Sequence, residues 1–230
     1  QCSTLHSKRR TRTKIKSISD WRCHRTNLQI IIKTKQHNKT IMYILFTGAP
    51  GARWSSVAEN IYRSPDIDQT DSDGRKTYRK GVVKHEGAYF DPGMEFRNTR
   101  DNWDLPFSGT GKRIIKSHTF AHELQELSTL GYPIVMVYRN DIECLKWWND
   151  AGGFNITYPD YSYFKDQDIM WSNIQSENKD IMQFVRDNTD RITSPVDNVD
   201  LCRALEISFP DSKGRIHNYA QKDIKVYLYQ

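Results

Sequence analysis

MYILFTGAPGARWSSVAENIY, residues 42–62, changes period half-way along. Met42 to Phe46 is a continuous apolar run, the pattern of a strand covered on both faces. Gly48, Pro50 and Gly51 break it, and from Ser55 the apolar residues Val57, Ala58 and Ile61 recur at helical spacing. Strand, glycine turn and helix make the order of a phosphate-binding loop. The register G-x-x-x-x-G-K-[ST], counted from Gly48, nevertheless puts Arg53 at the second glycine and Trp54 at the lysine. A helix N-terminus offers unpaired N–H groups and a partial positive charge, so it can hold an anion without a lysine. Gly48, Pro50 and Gly51 give the tight path, Arg53 a fixed charge, and Ser55 and Ser56 hydroxyl donors at the helix start. The missing lysine argues against Mg-nucleotide transfer, where that amine stabilises the β and γ phosphates. An ordinary strand-to-helix turn with capping serines fits the same residues.

The alternation continues. KRIIKSH (112–118) is a second core strand, and TFAHELQELSTLG (119–131) a helix closed by Gly131. YPIVMVYRN (132–140) is a third strand, followed by a helix from Asp141 to about Asn149. Ile169, Met170, Ile174, Ile181, Phe184 and Val185 mark an amphipathic helix or helix pair, VDNVDLCRALEI (196–207) another helix, and IKVYLY (224–229) a final edge strand. Residues 64–111 are rich in Asp, Gly, Pro and Asn, with one strand expected at Gly81 to His85, and a segment this long and irregular usually serves or covers a site. Apolar strands separated by helices predict an α/β fold, a parallel sheet flanked by helices as a three-layer sandwich. Ligands of such sheets sit beyond the carboxyl ends of the strands, where the Gly48 loop, Lys116 to His118 and Arg139 all fall.

At RIIKSHTF (113–120) the chain resembles the 3′-phosphoadenosine 5′-phosphosulfate (PAPS) dependent sulfotransferases, whose fold is of the P-loop nucleotide hydrolase type. Arg113 to His118 match that family's strand ending in I-K-[ST]-H-L-P, while Thr119 and Phe120 depart from Leu-Pro. Pro50 to Ser55 follow its P-[KR]-[ST]-G-[ST]-[ST] loop in position. Pro50 and Ser55 match; Gly51, Ala52, Arg53 and Trp54 do not. A strand followed by R-[ND]-P, with a serine eight residues on, is half matched by Arg139 and Asn140, with Asp141 and Trp147 in the remaining places. SKGRIHNY (212–219) faintly echoes a last loop through Lys213, Gly214, Asn218 and Tyr219. The resemblance implies PAPS as donor, adenosine 3′,5′-bisphosphate (PAP) as product, and a small-molecule or carbohydrate acceptor. It further implies Lys116 and His118 as catalytic groups, and Pro50 to Ser56, Arg139, Lys213 and Gly214 as donor-binding residues. The chemistry suits these residues on its own terms. In-line sulfuryl transfer needs a base, for which His118 is suited, and charge stabilisation, for which Lys116 is suited.

Composition sets the remaining bounds. With 37% hydrophobic residues and no run near the ~20 apolar residues of a membrane span, a cytoplasmic, membrane-free protein is expected. The formal charge of +6 is unevenly placed: residues 1–41 hold 11 Lys and Arg against Asp20 alone, the rest 23 basic against 27 acidic residues. The arm 1–41 is read as a basic extension, non-native or disordered, ahead of a sulfotransferase-like domain at 42–230. Cys2, Cys23, Cys144 and Cys202 show no C-x-x-C spacing, so free thiols and no zinc site are expected. His118 and His122 have i, i+4 spacing without a third ligand, and no metal is expected there. TrpTrp at 147–148 and the aromatics up to Phe164 suit either an acceptor wall or core packing. The competing readings are a degenerate P-loop kinase or nucleotide-binding protein, and a nucleic-acid binder acting through the arm; on the main reading nucleic acid is not a partner. No pattern sets an oligomeric state.

Overall fold

The structure, a computed structural model, describes residues 42–68, 70, 89–90, 103, 107–150, 166–210 and 218–230. The expected strand at Gly81 to His85, the aromatic segment beyond Asp150, and Lys213 and Gly214 lie outside them. The main elements are β1 (Tyr43–Gly48), α1 (Trp54–Tyr62), β2 (Tyr89–Phe90), β3 (Arg113–Lys116), α2 (Leu124–Leu127), β4 (Ile134–Arg139), α3 (Asp141–Asp150), α4 (Gln167–Asp187), β5 (Ile192–Thr193), α5 (Asn198–Ala204) and β6 (Ile224–Tyr229).

The strands form one six-stranded sheet in the order β2-β3-β1-β4-β6-β5. β2, β3, β1 and β4 run parallel, with Phe46 opposite Lys116 and Gly48 opposite Val137. β6 and β5 are antiparallel, so the sheet is mixed rather than wholly parallel. Nor is β6 the edge strand its sequence suggests, because β5 covers its outer side with Ile192 opposite Tyr229. Two-residue strands such as β2 and β5 are too short to carry a period of their own.

Alternate residues of the central strands feed two separate cores, as the pleat requires. Ile44, Phe46, Ile114, Val135 and Val137 pack with Val57, Ala58 and Ile61 of α1 and Leu201 and Cys202 of α5. Leu45, Ile115, Ile134 and Met136 pack with Phe120, Leu124 and Leu127 and with Ile181, Phe184 and Val185 of α4. Helices thus cover both faces, and each fully buried Ile, Leu or Phe contributes about 1.5–3 kcal/mol. α4 is one uninterrupted helix, capped by the Asp166 side chain accepting from the Ile169 amide. The segment expected to be a helix from Thr119 to Gly131 is mostly 3₁₀, with α-helical geometry only in Leu124–Leu127; Gly131 does close it, at φ 73°. One acceptor of its first turn is engaged elsewhere, since the Thr47 hydroxyl donates to the His118 carbonyl at 3.2 Å.

At the opposite end of the sheet, buried Arg113 pairs with buried Asp68, Nε to Oδ2 at 3.3 Å, and donates to the Gly109 carbonyl. The described ends of the irregular segment 64–111 are therefore anchored at the amino end of β3, away from the strand ends expected to bind ligand.

The loop after β1 is pressed against α3. Gly51 has φ 81°, and a Cβ there would lie 2.0 Å from the Cys144 carbonyl oxygen, whereas one on Gly131 would meet nothing within 4 Å. Gly131→Ala should cost only the left-handed strain, about 1–2 kcal/mol; Gly51→Ala should cost distinctly more, because backbone must move as well. Urea denaturation of the two variants measures the difference, and equal losses would mean the loop is not clamped on α3.

Candidate functional site at the strand ends

β1 lies between β3 and β4, the point at which the chain order of the sheet reverses. In open α/β sheets the crevice beyond the carboxyl ends at such a point is the usual ligand position. The Gly48 loop, the Lys116–His118 segment and Arg139 thus come from three neighbouring strands, as the sequence suggested.

In the loop, the Ala52 amide donates to the Ala49 carbonyl at 2.9 Å, and Ala49, Pro50, Gly51 and Ala52 are buried. Arg53 then adopts left-handed φ 68°, ψ 19° at the N-cap of α1, and no side chain caps the helix. The serines are therefore not caps. A left-handed conformation costs a non-glycine residue about 1–2 kcal/mol, which explains why phosphate-loop patterns place glycine here.

Trp54 is core, only 7% exposed, and cannot reach out as the loop lysine would. The amine comes from β3. Lys116, 1% exposed, lies two residues from Ile114 on the α1 side of the sheet. Its Nζ donates to Ser55 Oγ at 3.0 Å and stands 4.9 Å from the centre of the Trp54 ring. An ammonium taken out of water is costly unless it is held by partners, and a hydroxyl and an aromatic face provide part of that compensation. A cation therefore stands at the N-terminus of α1 although the loop has none at the lysine position. Ser56 is half-buried in the same first turn.

His118 is 4% exposed and its Nδ1 lies 2.9 Å from Oε1 of Glu177, which is fully buried on α4. A carboxylate accepting from Nδ1–H selects the tautomer with its lone pair on Nε2 and stabilises the imidazolium that forms when Nε2 takes a proton. Glu177 was not read from the sequence, yet it leaves a trace there. The apolar stripe Met170, Ile174, Ile181 lacks a member between Ile174 and Ile181, and Glu177 and Asn178 occupy those core positions. A carboxylate on the buried face of an amphipathic helix requires a partner. His122 pairs separately with Asp180, at 2.6 Å, so the two histidines face two carboxylates of α4. Among the described residues no group of three or more metal-ligating side chains occurs.

Arg139, at the end of β4, donates through Nη1 to the Gly51 carbonyl (3.5 Å) and the Glu143 carbonyl (3.3 Å), and its Nη2 lies 3.5 Å from the Glu143 carboxylate. Asp141 and Trp147, which stand where the resemblance implies proline and serine, both make contacts here. Asn178 donates to the Arg139 carbonyl at 2.8 Å and to Asp141 Oδ1 at 2.7 Å, so Asp141 ties the start of α3 to α4. Trp147 is half-buried, with the Arg53 guanidinium 5.5 Å from its ring centre. Burial, and then the charge of Arg139, lowers the pKa of Arg53 from its ordinary value.

Comparisons with protein-family models, curated proteins and solved structures find no match to this chain. No helix among the described residues is long and apolar enough to cross a membrane.

Cys144, whose carbonyl faces Gly51, is buried and free, as is Cys202. Burial pushes the Cys144 thiol up to about 12 and the Cys202 thiol up to about 11. The folded pKa values lie above the unfolded ones, so at pH 8 both groups stay protonated in the native chain and become far more reactive on unfolding. Iodoacetamide labelling at pH 8, read by peptide mass spectrometry, should leave Cys144 and Cys202 unmodified for a time that fully labels the denatured chain. Labelling of native Cys144 at the denatured rate would contradict the packing of α3 on the loop.

Proposed function

We propose that the chain is a sulfotransferase of the P-loop-related type that moves the sulfuryl group of PAPS to a hydroxyl or amine of a small-molecule or carbohydrate acceptor. The observation that carries this reading is the end of β3. Lys116 and His118 are both buried there, one held at the N-terminus of α1 by Ser55 and the other held by Glu177. General base, cation and anion-binding helix end are the parts that in-line sulfuryl transfer requires, and no protein nucleophile is needed.

On this reading the α1 N-terminus with Ser55 and Ser56 receives the 5′-phosphosulfate, and Arg139 the 3′-phosphate. The acceptor oxygen or nitrogen attacks sulfur opposite the bridging oxygen. As the new bond to sulfur forms, the bond from sulfur to the bridging oxygen breaks and PAP leaves with the electron pair. His118 Nε2 takes the acceptor's proton, and Glu177 stabilises the imidazolium. Lys116 leans from Ser55 onto the bridging oxygen and neutralises the charge that develops there.

Turnover of PAPS against a panel of phenols, alcohols, amines and sugars tests the reading. His118→Gln, which keeps a donor for Glu177, should lower kcat by at least about 10²-fold with PAP affinity intact. Glu177→Gln should lower kcat by about 10- to 100-fold with little change in KM for PAPS, since it acts through His118. A wild-type protein that turns over no acceptor and does not bind PAP would overturn the reading.

A further inference from the structure

β1 is apolar from Ile44 to Phe46 and then places a hydroxyl, Thr47, directly before the loop that begins at Gly48. Thr47 is fully buried. Valine has the same shape and an equal liking for strands, so packing alone does not require a hydroxyl at this position. A buried hydroxyl is costly without a partner, and Thr47 Oγ1 donates to the His118 carbonyl at 3.2 Å. The backbone next to that bond is tied to the same strand, since the Ser117 amide donates to the Phe46 carbonyl at 3.0 Å. The hydroxyls of Ser117 and Thr119, 2.9 Å apart, bridge the residues on either side of His118. His118 is thus held at two points from two elements, its carbonyl by β1 and its ring, through Nδ1, by α4.

We propose that Thr47 is a positioning residue for His118, acting through the His118 carbonyl to set the place of the imidazole relative to the Gly48 loop. The inference rests on the reading of His118 as the base in sulfuryl transfer. A ring pinned at Nδ1 alone can still shift with its own backbone. Pinning the carbonyl as well fixes where Nε2 stands, and this second pin comes from the residue immediately before the anion-binding loop. Base and loop are then registered to each other through one side chain. In-line transfer is sensitive to that register, because misplacing a reacting group by about 1 Å can cost about 10²-fold in rate. The Thr47 hydroxyl is fully buried, so its effect on rate passes through His118 and not through a contact with a ligand.

Thr47→Val and Thr47→Ser, made in the full chain, test this. Valine removes the donor and keeps the shape, serine keeps the donor, and thermal melts check that both fold. With ¹⁵N-histidine labelling, the Nδ1–H cross-peak of His118, assigned by its loss in His118→Gln, reports the ring directly and needs no turnover. Wild type should show it, Thr47→Ser should keep it, and Thr47→Val should broaden or lose it through faster exchange with water. In PAPS turnover Thr47→Val should lower kcat about tenfold or more with KM for PAPS and PAP affinity unchanged, and Thr47→Ser should stay within about threefold of wild type. An unchanged cross-peak and kcat in Thr47→Val would overturn the proposal. A loss of PAP affinity in step with kcat would also overturn it, by placing the effect on the loop. Serine decides by itself should valine not fold, since loss of the cross-peak or of kcat in Thr47→Ser would mean that the hydroxyl is not what holds His118. If wild type turns over no acceptor, the sulfuryl-transfer reading fails, and the cross-peak alone decides whether Thr47 positions His118.

Discussion

The approach of Gly51 to the Cys144 carbonyl sets the geometry of the whole strand-end region. With its φ of 81° and no room for a side chain, Gly51 lets the loop after β1 lie directly on the first turns of α3. That contact places the Gly51 carbonyl where Arg139 can donate to it, and it brings Arg53 beside Trp147. It also aims α1 so that Ser55 meets Lys116 across the top of β1. A bulkier residue at position 51 would separate these groups together, because they depend on the same few ångströms of backbone.

Electrostatically, the region concentrates charge that the rest of the body does not. Beyond residue 41 the acidic residues outnumber the basic ones, 27 to 23. Lys116, Arg53 and Arg139 nevertheless gather around one loop, with Glu177 directed to His118 and Glu143 to Arg139. Cations held at partly buried positions exert their fields with less screening than surface charges do. Such a region suits an anionic ligand without help from the basic arm, and α1 adds the partial positive charge of an end that no side chain caps. Glu177 gives the region its second property, a buried histidine held through Nδ1 by a carboxylate.

The sequence made the frame readable because the frame rests on continuous patterns. The apolar runs of β1, β3 and β4 and the glycine turn after β1 placed three strand ends together, and the pleat then fixed which residues face α1. What escaped depends on single residues or on pieces too short for a period. β5, two residues long, turns β6 from an edge strand into an inner one, and its antiparallel pairing makes the sheet mixed. At the start of the 3₁₀ path the His118 carbonyl accepts from the Thr47 hydroxyl, a partner 71 positions away that no local pattern announces. Glu177 could have been found as the polar interruption of the α4 stripe, a signal that gains meaning only once His118 needs a partner. The left-handed φ of Arg53 left a mark of its own, since Arg53 stands at the second glycine of the phosphate-loop register.

The central claim is that this loop binds a 3′,5′-bisphosphorylated nucleotide and needs no metal to do so. Calorimetric titration of the full chain with adenosine 3′,5′-bisphosphate in the presence of a chelator, beside ATP with Mg²⁺, tests it most directly. The account predicts saturable bisphosphate binding that the chelator leaves unchanged, and weaker binding of ATP with Mg²⁺. Binding of ATP only, and only with Mg²⁺, would contradict it and make the Gly48 loop that of a kinase.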